Sequence, residues 1–504
     1  MELGKTATPY ALGVKLLRFP QEEGNTMVMN GNAAFAPFRR RLIVQVLLCA
    51  LPSSALLVVG NASLAGLYFW GVLILLLLRL AILGKRDEML CLVIALAPLI
   101  SLLRTLAPFY NLVSMLSLCT LAYYNAQSGG KAWRILRSYP LTLALIGYVT
   151  LYYAFAFIFT GDYSAQIRLF DFLFAVLIVV IIGRHRELLS AALLGLVISS
   201  VIIGLAMLPH IGSTSSSRLG LVVVGGVGLG HPGTLGASLA LSFLALLVDR
   251  ARWLDVQRKW VLRILLAAPA LMLLALTSSR ASWMVAVAGI LVSFLFDRRS
   301  RMRTLVFIGL ACLAVQLVLV SPYGSSLQRG IERTFGEDRS VANRTTGRAD
   351  QWVAAYAAFT ASPRSIAWGY GPGTGYDIYA KYSREVQSVK FAVGEKLAWH
   401  SLYLQVAVEA GLIGLMPLLA GLLIVLVKTL GWTRRHRAVF PLVSFVGYAL
   451  TITAVSGNDS VSGVMLGIGL LATIRETPPR NQHADRPSRK NPGRSIAESE
   501  DVRA

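Results

Sequence analysis

The sequence predicts an all-α polytopic membrane protein with about 12 to 14 transmembrane helices and one large external loop before the antepenultimate helices. Three observations lead there. Of the 504 residues, 55% are hydrophobic and only 14% charged, against about 45–50% and about 25% in an average soluble domain. Apolar runs close to span length recur along most of the chain, and Lys and Arg collect in every second connection between them. A mean hydropathy of +0.63 agrees. Disordered, collagenous and small disulfide-rich classes are excluded by composition.

A membrane helix needs about 20 mostly apolar residues. By that criterion the spans fall at 42–60, 64–83, 89–107, 109–125, 139–160, 169–183, 188–208, 232–248, 261–277, 281–296, 304–320, 402–427, 438–456 and 460–474. Several are short, and some merge or re-enter. Arg39, Arg40 and Arg41 precede the first. Basic pairs or clusters follow the second, fourth, sixth, eighth, tenth and twelfth: Lys85 and Arg86, Lys131 with Arg134, Arg184 with Arg186, Arg250 with Arg252, Arg298 with Arg299, Arg434 with Arg435. The alternate connections at 60–63, Pro108 and 457–460 are nearly free of basic residues. Cytoplasmic loops collect Lys and Arg, so both termini are expected in the cytoplasm.

The expected organisation is a cytoplasmic N-terminal segment at 1–38, a transmembrane bundle at 39–320, a large outer loop at 321–399, C-terminal membrane helices at 400–474 and a disordered cytoplasmic tail at 475–504. The loop is too long for a structureless connector and should fold as a small cap, with a helix-like stretch from Asp350 to Ala361. The tail is Pro-rich, polar and without periodicity. The first 38 residues lack a clean signal peptide, because Gln21, Glu22 and Glu23 interrupt them. The net charge of +23 and pI of 10.2 ordinarily suggest a nucleic-acid binder. Here the basic residues sit in short clusters between apolar runs, so no nucleic-acid partner is expected. Cys49, Cys91, Cys119 and Cys312 all lie inside apolar runs and read as small buried hydrophobes.

Soluble-enzyme motifs are missing: there is no P-loop, Rossmann fingerprint, HExxH or nucleophile elbow. No metal or cofactor is expected. Any substrate worked on at the outer face must then bring its own activation. Several polar residues fall on that side. Arg218 lies in the connection 213–220, Arg280 at the turn 277–280, Arg348 in the outer loop, and His400 where that loop meets the next span. A lone Arg at a helix end is usually an interface anchor, and a lone His at a membrane boundary is more often a bystander than a base. Together they run against the depletion of positive charge on this side. Guanidinium binds phosphate in bidentate fashion, and a His can accept a proton from a hydroxyl nucleophile. That is the equipment for displacing a phosphate leaving group with an alcohol.

His400, Leu404, Ala407, Gly411 and Gly414 share one face if a helix begins at His400. The small residues would let that helix pack closely, although such stripes are common in membrane helices. Glu409 falls on the opposite face, inside the bilayer, where an ionisable group is paired or functional. The run Gly369 to Gly375 reads either as a phosphate-binding set of backbone amides or as a flexible turn. Asp459 either holds a sugar or caps a helix.

These residues resemble the O-antigen ligase and polysaccharide polymerase superfamily, which includes exopolysaccharide polymerases. The resemblance runs from about Arg218 to Gly414: Arg218 then His231-Pro-Gly233, Thr277-Ser-Ser-Arg280, Gly347-Arg348 with Trp352, Gly371-x-Gly373-x-Gly375, and His400-Ser401 followed by Gly411-x-x-Gly414. Gly233 stands where relatives often have Asn. The resemblance implies a metal-independent inverting glycosyltransferase, multi-pass in the bacterial inner membrane, with its active site and large loop facing the periplasm. The implied donor is a glycan on undecaprenyl pyrophosphate, and the acceptor is lipid A–core or a growing glycan. It also implies that Arg218 and Arg280 bind the pyrophosphate and that His400 is the general base. Arg348 joins the pyrophosphate ligands, with Glu409, His231 and Asp350 as supporting candidates. A polymerase of the same superfamily is the alternative. A lipid-linked glycan flippase or secondary transporter is the alternative of another class, and would show internal repeats and charges at the midplane.

Overall fold

The computed structural model describes residues 31–107, 112–160, 164–183, 185–211, 219, 222–224, 226–229, 232–248, 260–297, 301–335, 347–397, 399–454 and 459–474. Arg218, His231 and the tail from 475 lie outside the described residues. The architecture is all-α and polytopic. In chain order the helices are α1 Gly31–Val58, α2 Ala62–Ile82, α3 Arg86–Ala95, α4 Ala97–Leu102, α5 Leu112–Gln127, α6 Lys131–Arg137, α7 Pro140–Thr160, α8 Ser164–Ile182, α9 Arg186–Met207, α10 Pro232–Val248, α11 Trp260–Leu276, α12 Arg280–Phe296 and α13 Arg301–Val320. Then follow α14 Gly324–Phe335, α15 Arg348–Thr360, α16 Pro363–Trp368, α17 Gly375–Glu385, α18 Leu402–His436, α19 Phe440–Ala454 and α20 Ser460–Leu470. A two-stranded antiparallel hairpin, β1 Val222–Val224 and β2 Val227–Leu229, pairs Val222 with Leu229. The sequence reading did not foresee it.

Among the described residues, five helices are long and apolar enough to cross a membrane: Phe35–Val58, Ala62–Ile82, Arg186–His210, Arg301–Val320 and Leu402–His436. The bent pair of α6 and α7 would add one, and six shorter apolar helices have 10–17 residues. The expected range of about 12 to 14 spans therefore exceeds the number that pass the length test. Short helices are tolerated at membrane depth where other protein surrounds their ends. α20 fits that case, because every residue from Ser460 to Leu470 is buried. The expected span 89–107 is divided at Leu96 into α3 and α4, where Pro98 occupies the first turn of α4, and ends in a 3-10 turn at Arg104–Leu106.

Close packing follows the small residues. Gly463 and Gly467 bring α20 against Phe172 and Val179 of α8, and Gly195 of α9 faces Ala95, whose carbonyl accepts from Ser199 Oγ at 2.6 Å. Apolar side chains gain little by leaving lipid for protein, so close backbone approach and hydrogen bonds take over the work of holding helices together. Two buried carboxylates are paired: Glu88 Oε1 meets Arg41 Nη2 at 2.7 Å, and Asp171 Oδ2 meets Arg104 Nη1 at 2.6 Å. The cysteine expectation holds for Cys49 and Cys91, which are buried, and fails for Cys119 and Cys312, which are exposed.

Between α13 and α18 the chain builds a second, smaller core from Ala354, Ala355 and Ala358 of α15, Tyr379 and Tyr382 of α17, Val389, Trp399 and Val408. Tyr370 ties it together by donating to the Ala358 carbonyl at 2.9 Å and meeting the Tyr382 hydroxyl at 2.5 Å.

Candidate active site

The ends of several helices meet at one side of the bundle. α10 and α12 run in the same direction, since Gly236 lies against Ser282 and Gly289 against Leu244. Asp459, the N-cap of α20, accepts from Ser462 N at 2.7 Å and from Thr234 Oγ1 of α10 at 2.9 Å. Asp459 is thus a cap and a strut, and both its oxygens are used within the protein. The N-termini of α10, α12 and α20 therefore lie together, and helix N-termini favour anions.

Arg280 opens α12, directly after the N-cap Ser279. The turn before it is tight: Thr277 Oγ1 donates to the Leu274 carbonyl at 2.7 Å, and Ser278 holds a left-handed φ of 48°. That region is uncommon for a side-chain-bearing residue and costs about 1–3 kcal/mol. The buried amide of Leu219 donates to the Leu276 carbonyl at 3.1 Å, so the residue after Arg218 is pinned four residues before Arg280.

Arg348 opens α15 behind Gly347, which caps the helix at φ 77°. A Cβ at Gly347 would strike the Phe391 ring. Phe391 is fixed in turn by Asp350, whose buried Oδ2 accepts from the amides of Lys390 at 2.8 Å and Phe391 at 2.7 Å. Asp350 therefore positions the backbone around Arg348.

His400 precedes α18 in a left-handed conformation, φ 47°, and its side chain is exposed. Its neighbours anchor it on both sides. Trp399 is 2% exposed and packs edge-on against Tyr379 at 5.3 Å, and Ser401 is the buried N-cap position of α18. The helix thus starts at Leu402 and not at His400. The expected face running from His400 through Gly411 to Gly414 does not exist, because the helix is also broken at Gly411, φ 58° and ψ −156°.

Electrostatics link three of these residues in pairs. Burial and then the Arg280 guanidinium lower the pKa of Arg348. Loss of water on its protein side and then the Arg348 guanidinium lower the pKa of His400 below the ordinary histidine value. Arg280 thus acts electrostatically on Arg348, and Arg348 on His400, although the bundle helices and the cap separate them in sequence. Both influences favour the neutral imidazole, which keeps a solvent-facing edge, as a proton acceptor requires. Among the described residues, no group of three or more His, Cys, Asp or Glu is placed to hold a metal ion.

Glu409 is 1% exposed. Its Oε2 accepts from the Tyr152 hydroxyl of α7 and from Gly373 N at 2.8 Å; its Oε1 accepts from Gly375 N at 3.1 Å and Gln405 Nε2 at 3.3 Å. The break at Gly411 lets the same loop approach α18, where Tyr370 N and Gly371 N donate to the Val408 and Glu409 carbonyls at 3.0 and 2.8 Å. The glycine-run amides at 373 and 375, one reading of which was a phosphate cradle, are occupied by this carboxylate. Sequence reasoning missed Tyr152 and Trp399. The spacing of Tyr148 and Tyr152, one turn apart on an otherwise apolar helix, is the signal that could have found the first.

Residues 264–419 match the family model described as O-antigen ligase. No curated protein matches the chain. The matched segment contains Arg280, Arg348, His400 and Glu409, and leaves positions 218 and 231 outside it. That match supports the O-antigen ligase-like superfamily and, at family level, a multi-pass membrane glycosyltransferase of the ligase or polymerase type.

Proposed function

We propose that the protein transfers an oligo- or polysaccharide from undecaprenyl pyrophosphate to an acceptor hydroxyl, at the periplasmic face of the bacterial inner membrane with both termini cytoplasmic. One feature supports this reading: the Arg280 guanidinium acts unfavourably on the charge of Arg348, and the Arg348 guanidinium on protonation of His400. Like charges held together favour a ligand of opposite charge, and guanidiniums suit pyrophosphate oxygens. Arg280 and Arg348 hold the pyrophosphate, and the sequence resemblance assigns Arg218 the same role. His400 accepts the hydroxyl proton as the acceptor oxygen bonds to the anomeric carbon. The bond from that carbon to the pyrophosphate oxygen breaks, and its electron pair leaves with the pyrophosphate. Attack opposite the leaving group inverts the anomeric centre. Asp350 and Glu409 position the backbone, and no step is assigned to position 231.

The acceptor is lipid A–core, as in ligation, or the end of another lipid-linked glycan, as in polymerisation; the description of the matching family favours the first. Arg280→Ala and His400→Ala should each abolish transfer in membranes while the protein still inserts. Normal product from either variant overturns the assigned roles. In a deletion strain, unligated chains mark a ligase and single repeats mark a polymerase. Loss of lipid-linked glycan from the outer leaflet would instead mark a flippase.

A further inference from the structure

We propose that the end of the bundle opposite the arginine–histidine cluster binds one anionic glycerophospholipid between α7, α18 and the end of α20. A cavity of about 880 Å3 opens there. From α18 it is lined by Ile424, Val427, Lys428, Gly431, Trp432 and Arg435. Those positions recur every three or four residues and so form one helix face. The order along the face is apolar, then basic. Ile424 and Val427 lie toward the middle of the span, and Lys428 and Arg435 lie toward its end. Leu141 of α7 and Ala472 continue the apolar wall, and no lining residue is acidic.

Three details select the ligand class. Lys428, Arg435 and His436 line the cavity near the end of α18, which makes this a site for negative charge at the membrane boundary. The Trp432 ring lies against His436, tilted by 40° with centroids 4.1 Å apart, and its buried indole N–H meets no hydrogen-bond partner among the described residues. An ester or phosphate oxygen would satisfy it. A Cβ at Gly431 would meet nothing within 4 Å, so this glycine leaves the cavity open down to the helix backbone. Acyl chain, anionic head group and ester acceptor occur together in an anionic glycerophospholipid, and basic pockets between membrane helices recognise such head groups. The chain's own residues 475–504 suit the site poorly, because they contain no apolar run and more basic than acidic residues.

The site stands whether or not the reaction is glycan transfer, and its test needs no activity. Purified full-length protein is titrated with phosphatidylglycerol, with phosphatidylcholine of the same chains and with inorganic phosphate. Bound lipid is read by native mass spectrometry and protection by thermal shift. The wild type should retain one phosphatidylglycerol in preference to phosphatidylcholine, and inorganic phosphate should give no shift. Lys428→Ala with Arg435→Ala should weaken phosphatidylglycerol binding roughly 30-fold and erase the preference. Gly431→Leu fills the cavity without touching a charge and should remove both lipids. Equal retention of the two lipids by the wild type, full protection by phosphate alone, or undiminished binding in Gly431→Leu each overturns the proposal. The first two readings use no substituted protein, so misfolding of a variant cannot rescue it.

Discussion

Gly373 donates its amide to Glu409 across 2.8 Å, so a side chain of a membrane helix anchors the glycine-rich loop of the cap. The carboxylate also takes Gly375, Tyr152 and Gln405, and nearly all of its hydrogen-bonding capacity is spent inside the protein. Glu409→Gln puts an NH2 group where only acceptors fit. It should lower stability by about 2–4 kcal/mol, read as thermal unfolding in detergent. Transfer should fall with it, because Trp399 and His400 lie next to this loop. A variant as stable as the wild type would remove the anchoring role.

Gly411 combines a positive φ with a crowded position. A Cβ there would come within 2.6 Å of the Ala367 carbonyl carbon and 2.7 Å of Gly369 N. Gly411→Ala should cost about 3 kcal/mol or more. Gly421, ten residues on in the same helix, has nothing within 4 Å of its Cβ. Gly421→Ala should stabilise by about 0.5–1 kcal/mol. The same unfolding assay measures both, and equal effects would contradict the break.

The pH dependence has a definite sign. Arg348 lowers the pKa of His400, so the imidazole stays neutral to a lower pH than an ordinary histidine. A base works while neutral, and activity therefore fails as pH falls through that pKa. Arg348→Gln removes the nearby charge and should raise the pKa, which moves the acid limb of the kcat/KM profile to higher pH. Arg348→Lys should keep the limb near its original place. The imidazole titration itself can be followed by NMR, which separates this effect from lost donor affinity.

Asp459 caps α20 and braces α10 through Thr234. Asp459→Ala should cost about 1–2 kcal/mol and leave KM for donor and acceptor unchanged. A large rise in acceptor KM with stability intact would restore the sugar-holding role.

Much of the fold is legible in sequence because lipid demands long apolar runs, and those runs show plainly around Leu64, Leu188 and Leu402. Helix ends and breaks are harder to read. Gly411 and Gly414 fit a continuous helical period, and only the approach of residues 367–371 shows that the first of them interrupts it. The site divides the same way. Arg280 stands out because no other cation lies in the turn at 277–281, whereas Arg348 sits among the many basic residues of the large loop. Their electrostatic link is a tertiary fact that no spacing encodes. Glu409 is visible as a charge in an apolar run, yet its partners lie on α7 and in the cap, and nothing in the sequence joins them.

Val406 and Val408 lie two residues apart on α18 and belong to different cores. Val406 packs with Tyr152 and Leu418 among the membrane helices, and Val408 closes the core of the cap. The cap is consequently not a severable module. A fragment cut from the chain at residues 321–399 would lose the valine that plugs its interior and the carboxylate that neutralises its loop amides. As an isolated soluble piece it should collapse into a molten state, so antibodies or ligands raised against it would meet a surface unlike that of the intact protein.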